Sequence, residues 1–580
     1  MLHRKLSIPV VAAAVVALSA IQASAAEADL ASDEVAAALF DTTKLLEVKI
    51  QISEEDWEEL TAQRRGFASS FLKTPAFNPY TYFRGDVTVN GVTIKSVGIR
   101  KKGFFGSNDS VRPSLKIKLN EYAQGRVFGG LDRFTLNNNR QDRAHVSQVL
   151  SYGVFREAGL PAPRVGLAKV SVNGRPLGVY SHVESIRAPF LERNFGNSDG
   201  QMFEGVFPTD FYADRISRFE IKTRKKENDR SDLKEIAAIL EKPGDDLVER
   251  LNEHFDVDEF IRFWAIESLV ASWDGYAGNQ NNFYIYKDAK DSKYHFIPWG
   301  VDASFSRSQL LGRGGAASVK AKGLICFHLY QRPGIREKYV AELTRLLDTV
   351  WNKEKLQAEV DRIEALVMDH LHESQERGFG DASLAAWNFI DTRKRTILDE
   401  IADGPVIVDR PPSELMYFKD VGKLAGSFQA TWSDERQENA VELGSAKMDF
   451  ELDGKPLEVI RQGVAAQPGR ISRGFGQRQP AADSPPPPSV VWTIEVPGES
   501  ENRTYRLTIQ VSKQKFLSHN TPIRVEGSLS DGQRRSFGFF GGRTFLGELT
   551  LNASALKDGA NVTGELKGRL YQMRGGFGRR

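Results

Sequence analysis

The chain has 580 residues, of which 41% are hydrophobic and 27% are charged, so it can bury a large core and is long enough for roughly two to four domains. Its formal net charge is only +2, and the lack of an overall basic field argues against nucleic acid as a partner. The single cysteine, Cys326, excludes an intrachain disulfide, and its apolar neighbours indicate a buried, inert thiol.

The N-terminal segment is typical of a cleavable secretory signal peptide. It begins with basic residues, continues with an apolar run over about 6–21, and ends with a triplet of small residues at 23–25. A membrane anchor is the alternative, but the apolar run is shorter than the ~20 residues that a spanning helix needs. No cysteine follows the run for lipid attachment. We therefore expect a signal peptide over 1–25, a linker over 26–43, and a mature protein without an integral membrane segment that is secreted, periplasmic or on the cell surface.

The first third of the chain is rich in predicted strands. Alternating apolar residues indicate a strand over 46–52, which leads into a short helix capped by Ser53. Asn-Gly pairs at 90–91 and 173–174 lie between strand-like segments and predict two β-hairpins. Apolar residues spaced four apart predict a helix over 142–158 that packs on this sheet.

The pattern becomes helical from residue 231, with long amphipathic segments over 255–274 and 355–371. Beyond residue 404 short strands return, interrupted by a segment rich in proline and polar residues. We predict an α+β protein with a β-rich lobe, a helical lobe and a C-terminal β-rich accessory domain. The expected boundaries are 44–205 and 206–400 for the two lobes, 405–580 for the accessory domain, about 465–489 for a flexible loop, and 574–580 for a disordered tail.

Polar residues flank a predicted hairpin in WDGYAGNQNNFYIYKDAKDSKYHFIPWGVD, residues 273–302. The strands NFYIY and KYHFIPW, joined by a polar turn, would bring the two ends of the hairpin together. Asp274, Asn279 and Asn282 at its entry and Asp302 at its exit carry the carboxylate and amide oxygens that magnesium prefers. Phosphoryl transfer to an alcohol uses such ligands, with a further carboxylate to accept the proton. The alternative is that Asp274 caps a turn, the asparagines fill a loop and Asp302 forms an ion pair.

Six segments occur in the order VGIRKKGFFGS, PSLKIKL, VSVNGRPLGVYSHVESI, DGQMFEG, WDGYAGNQNNFYIY and FIPWGVDASF. This series resembles the spore-coat protein H (CotH) kinase family, and the resemblance covers about residues 44–400. It implies an atypical protein-kinase-like fold, with a β-rich N-lobe and a helical C-lobe. It also implies a kinase that uses ATP with Mg²⁺ or Mn²⁺ and transfers the γ-phosphate to serine, or another hydroxyl, of protein substrates.

The resemblance assigns roles to the residues around the hairpin. Asp274 corresponds to the catalytic residue that accepts the proton of the substrate hydroxyl. Asn282 and Asp302 correspond to metal ligands, and Asn279 is a further candidate. Gly300 is a departure, because many members have an acidic residue at the first position of WGVD, and it leaves Asp302 as the expected ligand.

The same resemblance indicates nucleotide-binding residues in the β-rich half. Lys116 and Lys118 share one face of their strand, since side chains repeat every two residues, and one of them is expected to reach the phosphates. Arg100 and Lys102 likewise share a face beside GFFGS, where the alternative is a solvated strand edge. Glu184 is expected to pair with a lysine or to contact nucleotide, and the alternative for it is a charge at the start of a helix.

Other features leave further functions open. Where an Arg-Glu pair is common in the family, this chain has Ser147 and Gln148, so an ion pair between that helix and a lysine is not assumed. The Gly300 departure and the scarcity of ATP outside the cytoplasm favour a catalytically inactive surface or envelope protein that binds a partner. A nucleotidylyl (AMP) transferase is a third possibility, since the same metal site could act on a nucleotide bound in the opposite direction.

Overall fold

A computed structural model describes residues 33–65, 71–72, 78–104, 109–306, 315–412, 415–437, 440–469, 486–498, 501–531 and 542–574. The expected signal peptide over 1–25 lies outside the described residues. So do residues 105–107 of the GFFGS segment, residues 470–485 of the expected flexible loop and residues 575–580 of the expected tail.

Seven strands form a closed barrel: β1 (Leu45–Ile52), β2 (Phe83–Val89), β3 (Val92–Lys102), β4 (Ser114–Lys118), β5 (Arg133–Asn137), β6 (Val165–Val172) and β7 (Arg175–Val183). The order around the barrel is β1-β2-β3-β4-β5-β7-β6, and β1 closes it by pairing in parallel with β6. Both Asn-Gly hairpins are confirmed, because β2 pairs with β3 and β6 with β7 in antiparallel register. Ile99, Ile117 and Leu136 are buried in the barrel core, so the residues that alternate with them face outward.

Helices lie mainly in the middle of the chain. They are α1 (Asp33–Ala38), α2 (Glu54–Ala62), α3 (Ser147–Glu157), α4 (Ala188–Phe195), α5 (Ser231–Glu241), α6 (Leu247–His254), α7 (Val257–Leu269), α8 (Tyr276–Asn279), α9 (Leu324–Tyr330), α10 (Pro333–Thr349), α11 (Lys353–Val367), α12 (Glu373–Glu376), α13 (Phe379–Glu400) and α14 (Lys513–Phe516). Ser53 caps α2, and Asp256 caps α7 by accepting the N–H of Asp258 at 2.8 Å and of Glu259 at 3.2 Å. Such a cap stabilises a helix by about 1 kcal/mol.

A four-stranded sheet lies within the largely helical part of the chain. It has the order β11-β10-β8-β9 and contains β8 (Gln201–Gly205), β9 (Glu220–Ile221), β10 (Phe283–Lys287) and β11 (Tyr294–Pro298). The predicted hairpin is therefore confirmed as β10 and β11, which pair in antiparallel register from Phe283 with Pro298 to Lys287 with Tyr294. On one face of the hairpin Phe283 and Phe296 are buried towards α7, with the rings of Phe296 and Phe260 4.8 Å apart. On the other face Tyr284 and Tyr286 are buried with residues of α4. This packing fixes the two ends of the hairpin relative to the helices.

The C-terminal part of the chain forms a nine-stranded sheet with the order β14-β13-β12-β20-β19-β18-β17-β16-β15. Its strands are β12 (Tyr417–Thr431), β13 (Ser445–Leu452), β14 (Lys455–Pro456), β15 (Arg461–Pro468), β16 (Pro488–Val496), β17 (Arg503–Gln510), β18 (Ile523–Asp531), β19 (Arg543–Ala553) and β20 (Asn561–Arg574). The sheet has a buried core of its own around Trp492 and Leu507. The predicted boundary at residue 405 stays a prediction.

Among the described residues, the C-terminal part of the chain contacts the rest near Glu59, near Phe71 and near Arg215, whose guanidinium lies 4.7 Å from the centre of the Tyr417 ring. Ser512 Oγ donates to Glu59 Oε1 at 2.7 Å. The Phe71 ring lies between those of Phe207, at 5.9 Å, and Phe418, at 5.7 Å. The whole is a mixed α+β structure, and within the described ranges no helix combines the length and apolar character needed to cross a membrane.

Candidate active site

Asp274 lies in the turn between α7 and α8, and its carboxylate accepts three side-chain hydrogen bonds. Asn279 Nδ2 and Asn281 Nδ2 donate to Oδ1 at 2.6 and 3.1 Å, and Asn282 Nδ2 donates to Oδ2 at 2.8 Å. Burial, together with the charge of Asp302, raises the pKa of Asp274 to about 6, although the three amides oppose this shift. The carboxylate is thus held in one orientation, and the geometry leaves it able to act as a proton acceptor.

Two buried carboxylates hold the turn that carries Asp274 by accepting hydrogen bonds from it and from α9. Glu267, on α7, accepts the backbone N–H groups of Tyr276 at 2.9 Å and Ala277 at 2.7 Å. Asp210 accepts the Tyr276 hydroxyl at 2.9 Å and the Leu324 N–H at 2.8 Å. Neither role could be predicted from the sequence, because each acid stands alone in its segment.

Asn282 and Gly300 lie together at the open end of the hairpin. The Trp299 N–H donates to the Asn282 carbonyl at 3.0 Å, and Asn282 and Gly300 both have positive φ, 52° and 54°. A Cβ placed on Gly300 would lie only 2.6 Å from Asn282 Cγ. The Gly300 departure thus has a structural reason, because the Asn282 amide fills the space that a side chain at this position would enter.

Asp302 follows the hairpin and lies against the outer face of the barrel. Asn137 Nδ2, at the end of β5, is 3.4 Å from Asp302 Oδ2. Burial raises the pKa of Asp302, while the positive charge of Lys102 and the bond from Asn137 oppose the shift. Burial and the charge of Asp302 together raise the pKa of Asp142 to about 7, as they raise that of Asp274. The charge of Asp302 therefore acts on both Asp142 and Asp274.

Positive side chains lie on the outer face of β3, β4 and β5, the face of the barrel that Asp302 packs against. Arg100 on β3 lies directly opposite Lys116 on β4. Burial lowers the pKa of Lys116 well below its usual value, and the charges of Arg100, Arg133, Lys102 and Arg187 lower it further. Cations held together in half-buried surroundings are stabilised by an anion placed among them.

Two predicted nucleotide-binding residues engage other partners. Lys118 Nζ forms an ion pair with Glu121 Oε2 at 2.7 Å. Glu184 is 1% exposed, and its carboxylate pairs with Arg164, at 2.8 Å, and with Arg193. Glu184 was expected to pair with a lysine, but its partners are two arginines. The reason is local: Arg164 lies directly before β6, where its backbone N–H also donates to the Glu184 carboxylate at 3.0 Å.

Five further residues of the site were not predicted from the sequence, namely Asn281, Asn137, Asp142, Arg133 and Arg187. Asn281 lies beside the predicted ligand Asn282 in NQNN. Asn137 and Asp142 lie in LNNNRQD, and a run of polar residues directly after a strand could have signalled a site. The two arginines carry no such signal, since each stands among ordinary strand and loop residues.

The donor atoms at this site suit a hard divalent cation. Asp302 and Asn282 offer carboxylate and amide oxygens only, which is the donor set of Mg²⁺ or Mn²⁺. A cation would also offset the repulsion that raises the pKa values of Asp142 and Asp274. The residues present thus fit the metal that the sequence implied.

The fold and site define a mixed α+β protein in which a cationic barrel face meets a group of fixed carboxylates. The chain belongs to the CotH kinase protein family, whose model matches residues 99–388. Inner spore coat protein H of Bacillus subtilis (strain 168) is 23% identical over 299 residues, which cover 48% of this chain and 82% of that protein.

Other similar proteins match a smaller share of their length or match less closely. Invasin CotH7 of Rhizopus delemar is 25% identical over 192 residues, which cover 31% of this chain and 32% of the invasin. A solved structure of the Helicobacter pylori proinflammatory kinase CtkA aligns with 51% of this chain and 92% of that chain, at 11% identity. Its TM-score of 0.29 is too low to support an argument about the fold.

Proposed function

We propose that this protein is a metal-dependent kinase that transfers the γ-phosphate of ATP to serine, or another hydroxyl, of a protein substrate. The observation that carries the proposal is a group of buried carboxylates beside a group of cations. Burial and the charge of Asp302 raise the pKa values of Asp142 and Asp274, and burial and neighbouring cations lower that of Lys116. A metal-bound triphosphate would offset both, because its cation suits the carboxylates and its phosphate oxygens suit the lysines. Membership of the CotH kinase protein family supports the same reaction.

The two sides of the site have distinct parts in this mechanism. The loop wall carries Asp274, Asn282 and Asp302, and the barrel wall carries Arg100, Lys102 and Lys116. Asp302 and Asn282 would hold the metal, which when bound supplies positive charge for the phosphate oxygens. Lys102 and Lys116 would bind those oxygens from the barrel side, with Arg100 beside them. These contacts would orient the γ-phosphate towards the Asp274 carboxylate, and binding and orientation would then supply much of the rate enhancement.

Asp274 would act on the incoming hydroxyl. As the serine oxygen forms its bond to the γ-phosphorus, the bond to the bridging oxygen of ADP breaks and the hydroxyl proton passes to Asp274. The bonds from Asn279 and Asn281 keep the carboxylate oriented during this transfer. Because its pKa of about 6 lies close to neutral pH, the acid can both accept the proton and release it afterwards.

We place this activity outside the cytoplasm, at a secreted, periplasmic or surface location. The support is the signal-like segment over 1–25 and the names of the relatives, which include spore coat proteins and invasins. The kinase would then use ATP released from cells or act during its passage through the secretory route.

The test is a transfer assay with ATP labelled at either the γ- or the α-phosphate. The purified protein is incubated with Mn²⁺ or Mg²⁺ and casein, alongside Asp274→Ala and Asp302→Ala variants. We expect γ-label on the protein or on casein in the wild type only. Transfer of α-label alone would identify a nucleotidylyl transferase. No transfer of either label, with no metal-dependent ATP binding by calorimetry, would leave a binding protein on this fold.

A further inference from the structure

Three potential metal ligands converge between α5 and α6, away from the hairpin end that carries Asn282 and Gly300. Asp232 and Glu235 lie three positions apart on α5 and so share one face of it, and His254 is the last residue of α6. One ligand atom of each lies within 4.8 Å of the other two. We call these three residues the His254 cluster.

The imidazole of His254 is the member of the cluster that indicates a ligand. The side chain is buried, with 8% of the residue exposed, and among the described residues its Nε2 has no hydrogen-bond partner. The Glu235 carboxylate oxygen lies 3.8 Å away, beyond hydrogen-bonding distance. A buried polar atom without a partner destabilises a fold, so an Nε2 left open towards two carboxylates indicates a missing ligand.

A second cluster, also of two carboxylates and one imidazole, shows a histidine whose ring nitrogens both have partners. Asp288, Asp291 and His295, at the turn of the β10–β11 hairpin, also hold their ligand atoms within 4.8 Å of one another. There, His295 Nδ1 lies 2.8 Å from Glu259 Oε1, and Nε2 lies 3.1 Å from Asp291 Oδ2. Both ring nitrogens are occupied by protein atoms, so this cluster has no open position on its imidazole.

We propose that the His254 cluster binds a zinc-type divalent cation through His254 Nε2 and the carboxylates of Glu235 and Asp232. One imidazole and two carboxylates form a donor set that suits Zn²⁺, whereas the oxygen-only set around Asp302 suits Mg²⁺ or Mn²⁺. Lys287 Nζ pairs with Asp232 Oδ2 and offsets part of the negative charge. The affinity therefore depends strongly on the imidazole, which favours zinc over magnesium or calcium.

The position of the cluster gives the cation a structural role. It would join α5 to α6, and the pair between Asp232 and Lys287 extends this link to the end of β10. β10 begins at Phe283, next to Asn282 of the candidate active site. The cation would thus brace the sheet that positions one end of that site, without contacting the reacting groups.

The test is a zinc titration of the chelator-treated protein against a chromophoric competitor, with millimolar Mg²⁺ present to occupy the active site. The variants are His254→Gln, the matched control His295→Gln, and Asp302→Asn. We expect one equivalent of tightly bound Zn²⁺ in the wild type, and an affinity at least about tenfold weaker in His254→Gln. His295→Gln and Asp302→Asn should keep the wild-type affinity.

A second variant keeps the test valid if the substitution of the buried His254 prevents folding. Glu235 has a side chain that is 61% exposed, so Glu235→Gln should fold normally while removing one carboxylate ligand. Saturating Zn²⁺ should raise the Tm of the wild type by roughly 2–5 °C, and this shift should shrink in Glu235→Gln. A wild type that binds no zinc in the presence of Mg²⁺, or zinc binding lost in His295→Gln but kept in His254→Gln, would overturn the proposal.

Discussion

The two walls of the candidate active site differ in how their charges are satisfied. The Asp274 carboxylate already accepts three amide hydrogen bonds, and the turn that carries it is held by two further buried acids. On the barrel side, burial and the charges of Arg100, Arg133, Lys102 and Arg187 lower the pKa of Lys116, while the Glu204 carboxylate acts in the opposite sense. The loop wall is thus organised by hydrogen bonds within the chain, whereas an anion on the barrel wall would offset the repulsion among its cations. In the proposed mechanism, the first wall would carry out the chemistry and the second would bind the nucleotide.

The largest effect is expected on the loop wall, from Asp274→Asn. The variant cannot accept the hydroxyl proton, so kcat should fall by about 10²–10⁴-fold. Affinity for metal-bound ATP should change little, because the nucleotide is held by the opposite wall. Single-turnover phosphorylation and ATP binding by calorimetry measure the two effects separately. A loss of affinity that equals the loss of rate would show that Asp274 acts in binding instead.

The barrel wall is tested by Lys116→Met, with Lys118→Met as a matched control on the same strand. Removal of a charged hydrogen bond costs about 1.5–3 kcal/mol, so Lys116→Met should weaken ATP binding by roughly 10–100-fold. Lys118 already pairs with Glu121, and its substitution should weaken binding less than about threefold. The opposite ranking, measured by equilibrium binding, would assign the phosphate contact to Lys118.

A smaller effect is expected where the two ends of the hairpin meet. Gly300→Ala places a Cβ against Asn282 and also forces a left-handed conformation that costs about 1–2 kcal/mol. Gly91→Ala is the control, because Gly91 has a φ of 87° and open space around it. Both variants should melt at lower temperature than the wild type, but only Gly300→Ala should lose metal affinity. Equal metal affinity in the two would separate Asn282 from the metal site.

The pH dependence should be the most modest effect. Because burial raises the folded-state pKa of Asp274 to about 6, its contribution to stability falls as pH rises from about 4 to about 6. The activity changes in the opposite sense, since only the ionised carboxylate accepts a proton. We expect kcat/KM of the free enzyme to rise through an apparent pKa near 6. An acid limb near pH 4, the value of an ordinary aspartate, would contradict the burial of this group.

Local patterns in the sequence predicted much of the fold. The hairpins at 90–91 and 173–174 and the hairpin of β10 and β11 follow from turn residues and alternation alone. The barrel closure does not, because the parallel pairing of β1 with β6 joins segments more than a hundred residues apart. Such long-range pairing leaves no periodic signal in either strand.

The candidate site divides in the same way. The residues of the Asp274 turn and hairpin were visible as a polar cluster at the ends of two strands. Asn137 was not, since its contact with Asp302 spans 165 positions and depends on how the barrel docks. The arginine partners of Glu184 likewise depend on the start of β6 and on α4, which no single segment reveals.

The division of roles between the two walls is tested most directly by calorimetry of ATP binding, with and without Mn²⁺, to the wild type, Asp302→Asn and Lys116→Met. We expect Mn²⁺ to strengthen ATP binding to the wild type, Asp302→Asn to lose this metal-dependent gain, and Lys116→Met to bind ATP more weakly under both conditions. ATP binding that is independent of Mn²⁺ and unchanged in both variants would show that neither wall binds the nucleotide as proposed.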